Sequence, residues 1–235
     1  MLAILSTKKL KPNQRDLLLG QGFTLVDYNA IEIEFIDFEM PEKIENTIFA
    51  SQNGVNAFLK QSTKTPFQSK KDGIRVFCVG QKTKALLEEN GLKVKETANY
   101  GADLAQIITK DYQNESFHFF CGAQRRDEIP NTLNASKVEF IEVETYKTSL
   151  KPRKFEQKWD GILFFSPSGV ESYFVENKVE REAVSQQVKN DSPVLICIGE
   201  TTADAARKYS NHIVIANTTL VESVIAKAVN VLKKD

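Results

Sequence analysis

Four short segments of the chain share one plan: Ser51-Gln52-Asn53-Gly54, Gly80-Gln81-Lys82-Thr83, Ser166-Pro167-Ser168-Gly169 and Gly199-Glu200-Thr201-Thr202. A fifth, Cys121-Gly122-Ala123-Gln124-Arg125, is built similarly. Each closes an apolar run with small or hydroxylated residues and then opens an amphipathic stretch. Small residues let a ligand approach the backbone, and the first turn of a helix offers unpaired N–H groups and a partial positive charge. Hydroxyls at cap positions add donors. Such groups recognise carboxylates or phosphates. Taken singly, each segment reads first as no more than a capped helix start; five in one chain with two related halves point to carboxylates or phosphates. There is no G-x-x-x-x-G-K-[ST], no G-x-G-x-x-G after a strand and no serine nucleophile elbow. His118 and His212 are isolated, and Cys78, Cys121 and Cys197 lack metal-knuckle spacing. A triphosphate, a dinucleotide, a Ser/His/Asp mechanism and a bound metal are therefore not expected. Donors without a nucleophile suit a reaction in which the substrate carries the reactivity.

The elements that must position these loops follow from the hydropathy pattern. Runs 2–5, 31–35, 47–50, 74–79, 117–121, 138–145, 161–165, 194–198 and 213–216 read as strands. Stretches 54–60, 83–90, 103–110, 125–133, 169–177, 202–209 and 220–233 read as helices. Strands that are apolar throughout, alternating with helices, predict an α/β fold of parallel sheets flanked by helices. In such sheets the loops at the carboxyl ends of strands bind ligands. Lys+Arg and Asp+Glu both number 31, so the net charge is zero and no general field attracts nucleic acid or a membrane. No apolar run reaches the roughly 18 residues of a membrane span, and the start of the chain does not read as a signal peptide. A cytoplasmic protein is expected.

The two halves of the sequence are similar. Residues 49–55 (FASQNGV) return as 164–170 (FFSPSGV), an offset of 115; at that offset 4–7 aligns with 119–122 and 23–27 with 138–142. Residues 78–83 match 197–202 at an offset of 119, so the second half carries a small insertion. One offset shared by three separated segments points to an internal duplication, and one too long for a solenoid repeat.

With these landmarks in order, the chain resembles the uroporphyrinogen-III synthase family. The resemblance rests on Ser51 with Gly54-Val55, Gly80 with Thr83, Gly101-Ala102-Asp103-Leu104-Ala105, Cys121-Gly122 with Arg126-Asp127-Glu128-Ile129-Pro130, and Tyr146-Lys147-Thr148. It closes on 164–170 and on Ile198-Gly199-Glu200-Thr201-Thr202-Ala203. It implies two similar α/β lobes joined by a two-stranded linker, with an active-site cleft between them. Residues 1–30 with 150–235 would form one lobe, 36–140 the other, and 31–35 with 141–149 the linker strands. Stretches 23–31 and 138–146, equivalent in the repeat, would be the crossings.

The resemblance further implies the substrate hydroxymethylbilane, a linear tetrapyrrole with an acetate and a propionate on every ring. Loss of the ring A hydroxyl leaves an azafulvene. Ring D attacks it to give a spiro intermediate, which fragments and recloses with that ring inverted. No cofactor or metal takes part, and a monomer is expected. The substrate also closes unaided to the uninverted isomer, so the protein's task is geometric. By its place in the Tyr-x-Thr match, Tyr146 would assist departure of the hydroxyl. Its phenol, with a reference pKa near 10, is a proton donor at neutral pH. Ser51, Gly80, Thr83, Cys121, Gly122, Arg125, Ser166, Ser168, Gly169, Gly199, Thr201 and Thr202 would bind carboxylates, with Arg126 and Lys8 as further cations; Arg125 and Arg126 read equally as solvated residues at a helix start. The family often shows Thr-Arg-Pro where this chain has Thr7-Lys8-Lys9, and Thr-Ser where it has Ala50-Ser51, so a forked donor and a hydroxyl are missing. The alternatives are a non-catalytic tetrapyrrole-binding or regulatory relative and a two-lobed solute-binding protein.

Overall fold

The structure, a computed structural model, describes residues 1–63, 73–177 and 192–233. The chain forms two compact units, one made of residues 1–32 and 149–235, the other of 33–148.

The first unit holds a five-stranded parallel sheet of β1 (Ala3–Ser6), β2 (Thr24–Asp27), β9 (Gly161–Phe164), β10 (Val194–Cys197) and β11 (Ile213–Ile215), in the order β11-β10-β9-β1-β2. The three central strands are buried at every residue, and successive side chains go to opposite faces. Leu5, Ile162, Phe164, Leu195 and Cys197 pack with α6 (Pro167–Glu176) and α7 (Glu200–Arg207). Ile4, Leu163 and Ile196 pack with α1 (Pro12–Leu19) and α8 (Val221–Leu232). A strand with apolar side chains on both faces must be covered on both, which is why these segments read as continuous apolar runs.

The second unit repeats the plan. Its sheet runs β3-β8-β7-β4-β5-β6, with β3 (Ile31–Phe35), β4 (Asn46–Phe49), β5 (Arg75–Val79), β6 (Val94–Ala98), β7 (Ser116–Gly122) and β8 (Glu139–Leu150). The strands from β8 to β6 are parallel. Ile48, Phe77, Phe117 and Phe119 face α4 (Gly101–Asp111) and α5 (Glu128–Ala135). Phe49, Val76, Cys78 and Phe120 face α2 (Gln52–Ser62) and α3 (Gln81–Glu89). Moving each strand by the sequence offset turns β6-β5-β4-β7-β8 into β11-β10-β9-β1-β2, so the duplication holds at the level of sheet topology. The insertion lies between Val170 and Cys197, a span that includes residues 178–191, outside the described residues.

The α/β expectation, parallel sheets flanked by helices, matches this architecture. Three elements were not expected: α1, β2 and β6. The stretch 23–31 is not a crossing strand but β2 and the turn after it. The chain passes between units within β3 and returns within β8. Those two strands are neighbours, with Ile36 N–H donating to Thr145 O and Lys151 N–H to Ala30 O, the opposed order of an antiparallel pair.

Candidate active site

In each unit the chain winds outward from one strand, then returns to lay the next beside it on the other side. Unit 2 does so at β4 and β7, unit 1 at β9 and β1. The helices that follow the two strands leave toward opposite faces: α2 and α5 pack into different cores, as do α6 and α1. Such a reversal opens a crevice at the carboxyl ends of the two strands, where ligands of open α/β sheets bind. Ser51 and Gly122 flank it in unit 2; Ser166 and Thr7 flank it in unit 1.

The two serines are structural twins. Ser51 caps α2 in extended geometry, its Oγ accepting Gly54 N–H at 3.2 Å. Ser166 caps α6 in the same way, accepting Gly169 N–H at 3.0 Å. Beside them the units differ. Thr7 directs both its N–H (3.1 Å) and its buried hydroxyl (2.8 Å) at Leu163 O. Its counterpart in the repeat is Gly122, and there the space is filled by the ring of Tyr146. A Cβ on Gly122 would lie 2.7 Å from the Tyr146 Cζ. The ring reaches across β7, and Tyr146 Oη sits 2.9 Å from Ser51 Oγ. A bulge places it: Cys121 pairs with Glu144 but Gly122 pairs with Tyr146. The extra residue, Thr145, donates its hydroxyl to Cys121 O (3.1 Å), and Ala123 N–H donates to Tyr146 O (2.8 Å). Burial raises the Tyr146 phenol above its ordinary value of 10, and the Ser51 hydrogen bond works against that rise. The half-buried hydroxyl therefore keeps its proton at neutral pH.

The family model of uroporphyrinogen-III synthase HemD matches residues 15–226. The chain belongs to the uroporphyrinogen-III synthase family. It is 26% identical over 232 residues to a Porphyrin biosynthesis protein HemD of Ruminiclostridium josui; the match takes in 89% of this chain and 44% of that relative, so the chain spans under half the relative's length. Its fold is similar to that of a uroporphyrinogen-III synthetase from Helicobacter pylori, with a TM-score of 0.71 at 17% identity, covering 98% of this chain and 99% of that one. It is equally similar to a mutant uroporphyrinogen III synthase from Thermus thermophilus, with a TM-score of 0.71 at 14% identity over 100% of both chains.

Of the residues that the synthase resemblance singled out, Ser51, Gly80, Thr83, Cys121, Gly122, Arg125 and Tyr146 lie in unit 2, and Ser166, Ser168, Gly169, Gly199, Thr201 and Thr202 in unit 1. All but Tyr146 and Arg125, which lies in the loop between β7 and α5, belong to strand ends or the helix starts that follow. Gly80 and Gly199 are the N-caps of α3 and α7, but only Gly80 has a left-handed φ, 86°, which confines the position to glycine. Ser168 and Ser166 are part-exposed and Thr201 is exposed, whereas Thr83 and Thr202 are buried at equivalent places in α3 and α7.

Two of these residues sit differently from expectation. Cys121 turns its thiol into the core beside Phe119 and Ile129, where burial pushes it up to about 12. The Arg125 guanidinium is already engaged: Nε and Nη2 donate to the two oxygens of Glu142 at 2.6 and 2.7 Å, and Nη1 donates to Asp127. A guanidinium held between two carboxylates has little left for a third. Thr7 was not singled out as a site residue, although its alignment with Gly122 in the repeat was a signal that could have found it. Among the described residues no group of three or more His, Cys, Asp and Glu could hold a metal, and no helix is long and apolar enough to cross a membrane.

Proposed function

We propose that this protein is a uroporphyrinogen-III synthase. It closes hydroxymethylbilane with loss of water and inversion of ring D, through a spiro intermediate, in tetrapyrrole biosynthesis. The observation that carries the reading is Tyr146, a neutral phenol held over Gly122 against Ser51 at the strand reversal of unit 2. In this reading the two units are lobes joined by β3 and β8, acting as a monomer, with the substrate held between them. Ser166, Ser168, Thr201 and the amides of the helix starts that follow Gly80, Gly122, Ser166 and Gly199 take its carboxylates.

Tyr146 acts as the general acid. As the bond from the ring A methylene to its hydroxyl breaks, the phenolic proton passes to the departing oxygen and water leaves. Ring A gives up its pyrrole N–H proton to solvent as the neutral azafulvene forms, and the phenolate regains a proton from solvent, so that the sum is loss of one water. The lobes then hold ring D so that it attacks through its substituted carbon and the uninverted closure is excluded.

Incubation with freshly made hydroxymethylbilane, then oxidation and separation of the porphyrin isomers, tests the proposal. The inverted isomer is expected in excess. The uninverted isomer alone, at the rate seen without protein, rules the activity out. Tyr146→Phe is expected to slow turnover by about 100-fold, the low end of what a general acid supplies, because positioning is shared among many donors. Since burial raises the phenol's pKa, the wild-type rate should hold through neutral pH and fall only above about pH 10. Unchanged turnover in the phenylalanine variant would take Tyr146 out of the reaction.

A further inference from the structure

We propose that Ser51 is a positioning residue for Tyr146 and not a ligand for a substrate carboxylate: its hydroxyl donates to the phenolic oxygen and leaves the phenolic proton as the free donor of the set. The inference rests on the synthase reading and names how its acid is oriented.

On distance alone either hydroxyl could be the donor, and counting donors and acceptors favours the serine. Ser51 Oγ accepts the Gly54 N–H as the cap of α2, so one lone pair is committed. Its own proton needs an acceptor, and among the described residues the one in hydrogen-bond contact is Tyr146 Oη at 2.9 Å. If the phenol donated instead, Ser51 Oγ would accept twice and its proton would have no partner among the described residues. The satisfied arrangement runs from Gly54 N–H to Ser51 Oγ, and from Ser51 O–H to Tyr146 Oη. Each bond polarises the next, which strengthens the last donor. A hydroxyl that is accepting from a helix start and donating to a phenol cannot also donate to a carboxylate.

The other unit supplies the contrast. Ser166 is capped in the same way, but Thr7 stands where Gly122 opens the way for the ring, and the position of Tyr146 in the repeat is Ile31. The cap is common to both halves; the hydroxyl partner belongs to one. Cap and tuning roles are thus separable by substitution.

The test is the titration of Tyr146 by carbon NMR in the full chain labelled with Cζ-enriched tyrosine, its resonance assigned by its loss in Tyr146→Phe. Ser51→Gly is the informative variant, because glycine at an N-cap costs the helix only a few tenths of a kcal/mol relative to serine. A donor that favours the phenolate is removed, so the Tyr146 midpoint should rise by about half to one pH unit, a hydrogen bond's worth. Turnover should fall by about three- to tenfold with KM unchanged. Ser51→Thr should restore both, and Ser166→Gly should leave the midpoint in place. A midpoint that falls in Ser51→Gly would mean that the phenol donates to the serine and overturns the proposal. So would an unmoved midpoint with a raised KM, the mark of a carboxylate ligand. The NMR measurement needs no turnover: a raised midpoint in a chain that yields no inverted isomer would uphold the hydrogen-bond direction while the synthase reading failed.

Discussion

Gly122 and Tyr146 are coupled by space. With no side chain at 122, the phenol ring lies over β7; a Cβ there would be 2.7 and 2.8 Å from two ring carbons and 3.1 Å from the hydroxyl. Gly122→Ala must therefore move the ring, and overpacking of this kind costs about 1–3 kcal/mol. The expected outcome is a lower urea midpoint together with turnover reduced toward that of Tyr146→Phe; a variant that keeps full activity would show that the ring need not lie where it does. Gly122, Ser51 and Tyr146 were each legible in the sequence as residues that could do chemistry. Their union was not. Ser51 and Tyr146 are 95 residues apart, and they meet only because three neighbouring strands stand in the order β8-β7-β4 and a bulge shifts the register by one. Hydropathy patterns carry no signal for a single-residue slip. Arg125 illustrates the opposite case: its type suited an anion, but Glu142, the carboxylate that takes two of its donors, lies on a neighbouring strand that spacing alone does not bring near.

The paired helices α2 and α6 show how far the duplicated plan has diverged. Gly54 and Gly169 occupy the same place, the third residue of each helix, with its N–H on the capping serine. Around Gly54 the backbone of β7 is close, and a Cβ would sit 2.8 Å from Phe120 O. Around Gly169 the nearest atoms are side-chain hydroxyls, Ser166 Oγ at 3.3 Å and Thr7 Oγ1 at 3.5 Å. A carbonyl in a sheet cannot withdraw, whereas small shifts relieve the second contact and a helix gains roughly 0.5–1 kcal/mol from alanine over glycine. Gly54→Ala should thus destabilise by about 1–3 kcal/mol, and Gly169→Ala by less than about 1 kcal/mol or not at all; chemical denaturation of the two variants checks the order. The elements missed in the sequence share one cause. In α1 only Gln14 and Leu18 are buried while Leu17 and Leu19 are exposed, so no apolar stripe appears. β2 and β6 are edge strands without one fully buried residue. The central strands, buried throughout, were plain because covering both faces demands apolar residues at every position.

At the scale of the molecule, the two units have the same topology but different connectivity, and this separates their folding. The two core clusters of unit 2 draw all their members from residues 38–143, and its sheet is complete between Ile31 and Leu150. Unit 1 is assembled from the two ends of the chain: its central pair β1–β9 joins Ile4 to Gly161, and α1 packs against the same core as α8. A fragment of residues 31–150 carries a whole doubly covered sheet at a size, about 120 residues, where single domains ordinarily fold alone. It should unfold cooperatively in urea, with a dispersed amide spectrum; a broad transition or a collapsed spectrum would show that its cores depend on unit 1. Residues 1–32 alone should stay unfolded, since β1 has lost its central neighbour. The fragment retains Ser51, Gly122 and Tyr146 in one sheet, so the Tyr146 titration should survive in it with its raised midpoint. It lacks Ser166, Ser168 and Thr201, and on the two-lobe reading it should leave hydroxymethylbilane to close unaided. A fragment that yields the inverted isomer would place the whole of the positioning in one unit and remove the need for a second set of donors.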